Sequence, residues 1–504
     1  MKVIITGKDL TIEKVVNVAR QFEEVELSQE VIKHIEDSAS LVDQFIKNKK
    51  KLYGITTGFG ALANSIIPQD KIHELQYNII ISHATAVGDP FPTEIVRAAM
   101  LLKLNTLASG CCGVRLKTVK MLIDMLNKRI HPIIPSKGSL GASGDLAPLA
   151  HMALVMIGKG TAEYNGNIIL GSEALRLAGL TPLELEAKEG LSLVNGTQIM
   201  AAIGALAIYD TETLLKNADI AATMTAEALK SNEAPFDEEV HKLRPHPGQI
   251  KCARNIRKLI KESKLIGSNG ITQDPYSIRC IPQVNGAVKD TIEFCRKIME
   301  TEINAVTDNP VILLESKRIL SCGHFHGEYL AFALDFLAIA IAELADIAER
   351  RIARLVDPKL SGLAAFLINE AGVNSGFMIP HYTAAALVSE NKILCHPASV
   401  DSIPTSANQE DHVSMGATAA NKLLQVIFNV QNVVCIEYIC AAQALDLING
   451  KQGIGTNAAY KTIRKKIKFL EKDEELHGYI MKSFELVKNG EIVRDVETAI
   501  GGLE

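Results

Sequence analysis

Residues 327–355 of the chain read GEYLAFALDFLAIAIAELADIAERRIARL, a run without proline. Its apolar residues occupy more than one face of a helix, which is typical of a helix surrounded by other helices. Its most apolar part, Leu330 to Ala348, is interrupted by three carboxylates that would be costly in lipid: Asp335, Glu343 and Asp346. The stretch therefore predicts a long buried helix in a soluble bundle and not a membrane span.

Other stretches extend this pattern. A second run without proline, Met415 to Ile448, predicts another long central helix. Apolar residues at helical spacing from Ser28 to Ile46 predict an amphipathic helix with Ser28 as its N-cap. Strand-like runs are short and few, such as Lys2 to Thr6 and Ile168 to Leu170. We therefore predict a mainly α protein, a large helical bundle with long central helices and a smaller, loop-rich N-terminal domain.

The domain boundary is expected between Met200 and Pro245, because the polar, proline-containing segment from Asn232 to Pro247 lies between helical stretches. We predict an N-terminal domain, 1–200, that carries loops rich in glycine and small polar residues. The remainder, 201–504, is predicted to be the long-helix bundle with C-terminal helices.

Composition excludes several classes of partner. The 53 Lys and Arg against 58 Asp and Glu give a net charge of -5, with both signs mixed along the chain, so neither nucleic acid nor a membrane surface is expected. Val3-Ile4-Ile5 is too short an apolar run for a signal peptide core. The nine cysteines form no Cys-x-x-Cys pair, so we expect reduced thiols, a cytoplasmic location and no structural zinc.

The segment from Lys137 to His151, KGSLGASGDLAPLAH, is a glycine-rich loop that leads into a helix at Asp145, its predicted cap. The tripeptide Ala142-Ser143-Gly144 within it indicates by itself only a turn. The same tripeptide recurs at Ala108-Ser109-Gly110 in a different context, and we expect that copy to be inert.

In its surroundings, the later copy resembles the signature of the histidine, phenylalanine and tyrosine ammonia-lyase family, in which the Ala-Ser-Gly backbone cyclises. The resemblance implies that the amide nitrogen of Gly144 attacks the carbonyl carbon of Ala142. Loss of two waters, one from Ser143, then leaves a methylidene-imidazolone electrophile (MIO). The residue types suit this chemistry, because Gly144 has no Cβ to obstruct its nitrogen and the Ser143 hydroxyl can leave. Such an electrophile helps to expel an amine, and no dissociable cofactor is implied.

Two further segments resemble loops of this family. Residues 52–60, LYGITTGFG, are similar to the loop whose Tyr removes the β-proton, which implies that role for Tyr53. Because the ordinary pKa of Tyr is near ~10, Tyr53 would need a positive or hydrogen-bonding neighbour. Residues 273–280, QDPYSIRC, resemble the segment that supplies an Arg for the substrate carboxylate and a second Tyr, here Arg279 and Tyr276, with Gln273 as a further binding residue. Which Tyr accepts the proton stays open.

Two asparagines and an aromatic residue also match family positions that line the site: Asn195, Asn309 and Phe325. Phe325 belongs to HFHGE, residues 324–328, which resembles the family's Gly-Asn-Phe-His-Gly loop, with His324 where many relatives have Asn. His-x-His-x-Glu could supply metal ligands, but no third, well-spaced partner is evident in the sequence, so no metal site is predicted.

Two places bear on the substrate. Ser82-His83 resembles the histidine-specific branch, whereas tyrosine enzymes tend to have His-Leu there and phenylalanine enzymes Phe-Leu. Glu410, in SANQEDH, also resembles the histidine branch, since the others usually read Asn-Gln-Asp. A carboxylate suits an imidazole because it accepts a hydrogen bond from the ring N–H, whereas a phenyl ring would leave it unpaired and desolvated.

The resemblance runs from about Tyr53 to His412 with its motifs in family order. It implies elimination of ammonia from L-histidine to give trans-urocanate, the first step of histidine degradation, by a homotetramer that shares its active sites between chains. The alternatives are a tyrosine or phenylalanine lyase or an aminomutase with the same electrophile, and an enzyme of the helical fumarase and aspartase group, which uses a Ser base. A non-catalytic helical assembly protein is the last alternative.

Overall fold

The computed structural model describes residues 2–504, which form two compact units, each built from three segments. The first unit comprises Met1–Tyr209, Arg296–Asp335 and Pro397–Asn421. The second unit comprises Asp210–Cys295, Phe336–His396 and Lys422–Glu504. Each unit is discontinuous in sequence, and the division into continuous domains 1–200 and 201–504 stays a prediction.

The described chain is mainly helical, as predicted. Four long helices contribute residues to both units: Gln198–Ala228, Ile281–Glu302, Glu328–Val356 and Gly416–Asp446. The last two confirm the long helices expected from the two runs without proline. Among residues 2–504, Gly416–Asp446 alone is long and apolar enough to cross a membrane by length and composition, and 78% of its most apolar window is buried, as in the core helix of a soluble protein.

The first unit holds eight further helices: Ile12–Arg20, Gln29–Lys47, Ile72–His83, Thr93–Ala108, Leu116–Asn127, Leu146–Met156, Gly171–Leu177 and Glu189–Val194. Ser28 caps the second of these by accepting a hydrogen bond from the backbone N–H of Glu30, which confirms the predicted start. Thr93–Ala108 is buried without interruption from Ile95 onward and is the central helix of this unit. Short 3-10 turns lie at Gly60–Leu62, Gln69–Lys71 and Ser406–Asn408.

All strands of the described chain are short and belong to the first unit: Val3–Ile5, Val25–Leu27, Val87–Pro90, His131–Pro132, Pro135–Lys137, Thr161–Tyr164, Asn167–Leu170, Val311–Leu313 and Arg318–Leu320. The first pairs in parallel with Val25–Leu27, and Asn167–Leu170 pairs antiparallel with Thr161–Tyr164. Both predicted strands are therefore present. His131–Pro132 adds a third strand to the latter pair, Val87–Pro90 pairs with Pro135–Lys137, and Val311–Leu313 with Arg318–Leu320.

The described residues of the second unit form helices and loops without a strand. Its further helices are Glu238–Lys242, Pro247–Leu259, Tyr276–Arg279, Pro358–Ser361, Met378–Leu394, Ile454–Lys466, His477–Lys488 and Glu491–Ile500, with 3-10 turns at Ala234–Phe236 and Ala365–Leu367. Three of the long helices meet here through buried polar groups. Arg351 donates to both carboxylate oxygens of Glu437, at 2.5 and 2.7 Å, and Thr225 Oγ1 donates to the same carboxylate at 2.9 Å.

Candidate active site

The Ala142-Ser143-Gly144 loop lies against the side chain of Asn195 and the backbone of Gly196. The carbonyl oxygen of Ser143 accepts hydrogen bonds from Asn195 Nδ2 at 3.2 Å and from the backbone N–H of Gly196 at 3.4 Å. Gly144 has a φ of +73°, and a Cβ there would come within 2.0 Å of the Gly196 carbonyl oxygen. Position 144 therefore requires glycine for its backbone angle and for its close contact.

Asp145 anchors this loop to a different helix from the one expected. Asp145 occupies the predicted N-cap position of the helix Leu146–Met156, but its side chain makes no capping hydrogen bond there. Instead, Oδ2 accepts from the backbone N–H groups of Ile199 and Met200, at 2.9 and 3.0 Å, where the helix Gln198–Ala228 begins. Complete burial raises the pKa of Asp145 to about 6, and these hydrogen bonds act in the opposite direction. The loop is thereby held against the first turn of a long helix.

The carboxylate of Glu410 accepts a hydrogen bond from the Ser143 hydroxyl. Ser143 Oγ donates to Glu410 Oε1 at 2.9 Å, and Thr405 Oγ1 donates to Glu410 Oε2 at 2.8 Å. Thr405 and Glu410 are also joined through their backbones, with hydrogen bonds of 2.9 and 3.2 Å. Both carboxylate oxygens are therefore fixed, and residues 143 and 410 meet although they lie far apart in the sequence.

Tyr53 is half-buried beside the loop that carries Glu410. The backbone N–H of Gly60 donates to the Tyr53 hydroxyl at 3.0 Å, which supplies a hydrogen-bonding neighbour of the kind the sequence required. A Cβ on Gly60 would come within 2.6 Å of Ser406 Oγ, so the two loops are in close contact. Burial raises the pKa of Tyr53, the negative charge of Glu410 adds to that rise, and the Gly60 hydrogen bond opposes it.

His83 ends the helix Ile72–His83, and its Nδ1 lies 3.0 Å from Ser82 Oγ. Burial lowers the pKa of His83, and the charge of Glu410 acts in the opposite direction. The structure thus places His83 in the electrostatic field of Glu410, as it does Tyr53. Ser143 contacts Asn195 and Glu410, and Tyr53 and His83 belong to the same unit.

Asn309 and Phe325 also lie in the first unit, but Asn309 uses its side-chain oxygen within the fold. That oxygen accepts from Ser321 Oγ at 3.1 Å and from the backbone N–H of Cys322 at 2.7 Å. It thereby holds the segment that leads to the turn with half-buried Phe325. Asn195 differs, because its Oδ1 is buried without a hydrogen-bond partner.

Gln273, Tyr276 and Arg279 form a second group, in the second unit. The Arg279 guanidinium lies over the Tyr276 ring, 4.5 Å from its centroid. With the Gln273 amide oriented so that its oxygen faces Arg279, that oxygen accepts from Arg279 Nε at 3.2 Å. Tyr276 is 71% exposed, so this group presents a tyrosine and a guanidinium at the surface of its unit.

Two residues that hold the site were missed from the sequence. Thr405 fixes one oxygen of Glu410, and Ser139 Oγ donates to the Gly144 carbonyl oxygen at 3.2 Å. Ser139 lies in the glycine-rich loop and could have been proposed from its position there. Thr405 carries no comparable signal, because a threonine before a turn is common.

Comparison with known proteins identifies the family. Residues 10–465 match the sequence profile of the family described as aromatic amino acid lyase. The chain belongs to this family. Aromatic amino acid lyases use an MIO group formed from their own backbone. The chain is 53% identical to the histidine ammonia-lyase of Treponema denticola over 500 residues, which cover 99% of each sequence.

Solved structures of aromatic amino acid lyases and aminomutases share the fold. The histidine ammonia-lyase of Trypanosoma cruzi superposes with a TM-score of 0.93 and 40% identity, covering 99% of this chain and 96% of that one. The tyrosine aminomutase of Streptomyces globisporus gives a TM-score of 0.95 at 34% identity and covers all of both chains. The fold is therefore common to enzymes that act on different aromatic amino acids.

Proposed function

We propose that this chain is a histidine ammonia-lyase, which eliminates ammonia from L-histidine and releases trans-urocanate. The observation that carries the proposal is the hydrogen bond between Ser143 and Glu410, with His83 nearby, because it sets a fixed carboxylate beside the Ala-Ser-Gly loop. An imidazole N–H has a partner in such a carboxylate, and a phenyl ring has none. The identity to histidine ammonia-lyases over almost the whole chain supports the same substrate.

The electrophile is proposed to form from Ala142, Ser143 and Gly144. The surroundings fit it, since position 144 admits only glycine and the Ser143 carbonyl is already held by two N–H donors. When formed, an MIO group supplies the electrophile that makes the substrate amine a better leaving group. Loss of the Ser143 hydroxyl would also remove the donor from Glu410 Oε1 and leave that oxygen free to accept from the substrate imidazole.

Tyr53 is the proposed proton acceptor. As the phenolate it would take the β-proton of histidine, while the N–H of Gly60 stabilises the negative oxygen. Transfer of this proton and departure of the amine leave the new double bond of urocanate. Tyr276, which belongs to the second unit, is the other candidate.

The remaining predicted residues bind substrate in this proposal. Arg279 holds the carboxylate through its planar guanidinium, and Gln273 orients that group. Asn195, whose Oδ1 has no partner in the fold, is available to accept from the substrate ammonium. Asn309 holds the segment at Ser321 and Cys322 by hydrogen bonds and so positions the turn that follows it. Phe325, in that turn, forms a wall of the pocket. A cytoplasmic homotetramer without nucleic-acid or membrane partners completes the proposal.

The two copies of Ala-Ser-Gly provide the test. We expect Ser143→Ala to abolish ammonia release from histidine and to give an intact mass that shows no loss of water. Ser109→Ala is the matched control, and it should remain active and be lighter by two water molecules than its sequence mass, like the unchanged chain. An unchanged chain at its full sequence mass would contradict cyclisation and favour a fumarase-like mechanism.

Substrate choice is tested separately. The unchanged chain is incubated with histidine, tyrosine and phenylalanine in turn, and both ammonia and the β-amino acid isomers are measured. We expect ammonia from histidine and formation of urocanate. More ammonia from tyrosine or phenylalanine than from histidine would favour a tyrosine or phenylalanine lyase. A β-amino acid product would favour an aminomutase.

A further inference from the structure

The loops before two long helices bring together three side chains that can bind metal. His326 and Glu328 lie at the start of Glu328–Val356, and His412 lies shortly before Gly416–Asp446. One ligand atom from each residue lies within 4.8 Å of the others, and this is the one such group of His, Cys, Asp or Glu within residues 2–504. Of the His-x-His-x-Glu motif in the sequence, His326 and Glu328 belong to this group. The fold adds His412 from a distant segment as the third residue.

We propose that His326, Glu328 and His412 form a binding site for a divalent transition-metal cation such as Zn²⁺. Two imidazole nitrogens and one carboxylate oxygen are a ligand set that suits this class of ion, with a fourth position left for water. All three residues belong to the first unit. The proposed lyase reaction does not require the ion, so this proposal stands or falls independently of that function.

The distances are short enough for coordination after small side-chain movements. His326 Nδ1 and Glu328 Oε2 are 3.9 Å apart, and the imidazoles of His326 and His412 have centroids 5.6 Å apart. Tetrahedral Zn²⁺ with bonds of about 2.0–2.1 Å places its ligands roughly 3.3 Å apart. The ligand atoms, which lie within 4.8 Å of one another, must therefore approach by at most roughly 1.5 Å, which rotation of the exposed His412 side chain can provide.

The strongest indication of a ligand is the carboxylate. The Glu328 side chain is 30% exposed, but its Oε2 atom is inaccessible to solvent and has no hydrogen-bond partner, since the distance of 3.9 Å to His326 Nδ1 is too long for a hydrogen bond. A buried carboxylate oxygen without a partner is costly, and a bound cation would remove that cost. Because His412 is exposed, an ion could reach the group from solvent.

A bound ion would connect two loops that the proposed active site uses. His326 follows Phe325 directly, and His412 lies two residues after Glu410. Coordination would therefore fix the pocket wall relative to the carboxylate that faces Ser143. In the alternative, Glu328 interacts only with the positive N-terminus of its own helix, and no metal is bound.

Metal binding to the full-length, tag-free chain, first dialysed against a chelator, distinguishes these possibilities. Co²⁺ is titrated by visible absorption and Zn²⁺ by calorimetry, with one ion bound per chain as the expected result. The Co²⁺ spectrum should show d–d bands without a thiolate charge-transfer band, because the ligands are nitrogen and oxygen. A thiolate band would overturn the proposal by pointing to cysteine ligands.

Variants locate the ion. His326→Gln, Glu328→Gln and His412→Gln should each weaken binding at least about 10-fold. His324→Asn is the matched control, since His324 is an exposed neighbour outside the group, and its affinity should be unchanged. Circular dichroism checks that each variant is folded. The proposal is overturned if the unchanged chain shows no saturable binding. It is also overturned if the His326 and His412 variants bind the ion as tightly as the unchanged chain does, whatever the lyase activity.

Discussion

At the scale of the residue, Glu410 adds a fixed negative charge to the candidate site. Hydrogen bonds from Ser143 and Thr405 hold its two oxygens, so its charge stays in one place. Burial raises the pKa of Tyr53 and lowers that of His83, and the charge of Glu410 acts to raise both pKa values. The carboxylate proposed to bind the imidazole therefore also makes the phenol of Tyr53 harder to deprotonate.

Glu410→Gln is therefore expected to have two effects. Turnover of histidine should fall roughly 10- to 100-fold in kcat/KM, the range expected when a charged hydrogen bond to substrate is lost. The pKa of Tyr53 should also fall, because the nearby negative charge no longer opposes phenolate formation. The rising, acidic limb of the kcat/KM profile should consequently move to lower pH.

The neighbouring Asp411 provides the control for this variant. Its side chain is exposed, so Asp411→Asn should leave both kcat/KM and the pH profile unchanged. Undiminished histidine turnover in Glu410→Gln would refute the role of Glu410 in substrate choice. A limb that does not move would instead count against Tyr53 as the base.

The two Ala-Ser-Gly copies show what a sequence can predict at this scale. Ser109 and Gly110 follow the end of the helix Thr93–Ala108, where Ser109 Oγ donates to the Thr106 carbonyl oxygen at 2.7 Å and Gly110 has a φ of +73°. Ser143 instead meets Asn195 and Glu410. Identical residues acquire different surroundings from distant segments, so the tripeptide alone could not identify the site.

At the scale of the element, periodicity and caps predicted the long helices because both depend on nearby residues. The helix Gln29–Lys47 begins after Ser28, as its capping hydroxyl indicated. Asp145 had the same local appearance, yet its carboxylate binds the start of another helix. Contacts between elements are decided by packing, which no local pattern encodes, and the Thr405 and His412 side chains were missed for the same reason.

The buried ion pair of Arg351 and Glu437 leads to a prediction for the second unit. Both side chains are fully buried, so Arg351→Ala would leave the Glu437 carboxylate without its partner in the interior. Removal of one member of such a pair typically costs about 3–5 kcal/mol. We expect the midpoint of thermal unfolding, followed by circular dichroism, to fall by several degrees.

Lys242→Ala is the control for this substitution. Lys242 also lies in the second unit, and its ion pair with Glu238 has both side chains exposed, 64% and 60%. Exposed ion pairs contribute about 0–1 kcal/mol, so Lys242→Ala should have little effect on the midpoint. Equal midpoints for the two variants would show that the Arg351 pair does not stabilise the unit.

At the scale of the whole molecule, the predicted site residues fall into two groups. Ser143, Glu410 and Tyr53 belong to the first unit, whereas Arg279 and Tyr276 belong to the second. The proposed homotetramer with shared active sites would build each site from the first group of one chain and the second group of another. This arrangement predicts that two inactive variants can restore activity when they assemble together.

Co-expression of Ser143→Ala and Arg279→Lys chains with different tags, followed by purification on both tags, tests this sharing. If Ser143 and Arg279 of one site come from different chains, random assembly leaves about a quarter of the sites with both native residues, because each contribution is native half the time. We therefore expect ammonia release from histidine near a quarter of the unchanged enzyme, although each variant alone is inactive. Lys cannot replace the planar guanidinium, so Arg279→Lys suffices to disable its sites.

Ser143→Ala with Glu410→Gln is the control pair. These two residues contact each other within one chain, so mixing the two variants should add nothing to the residual activity of Glu410→Gln. Mixed Ser143 and Arg279 oligomers without activity would show that each chain completes its own site.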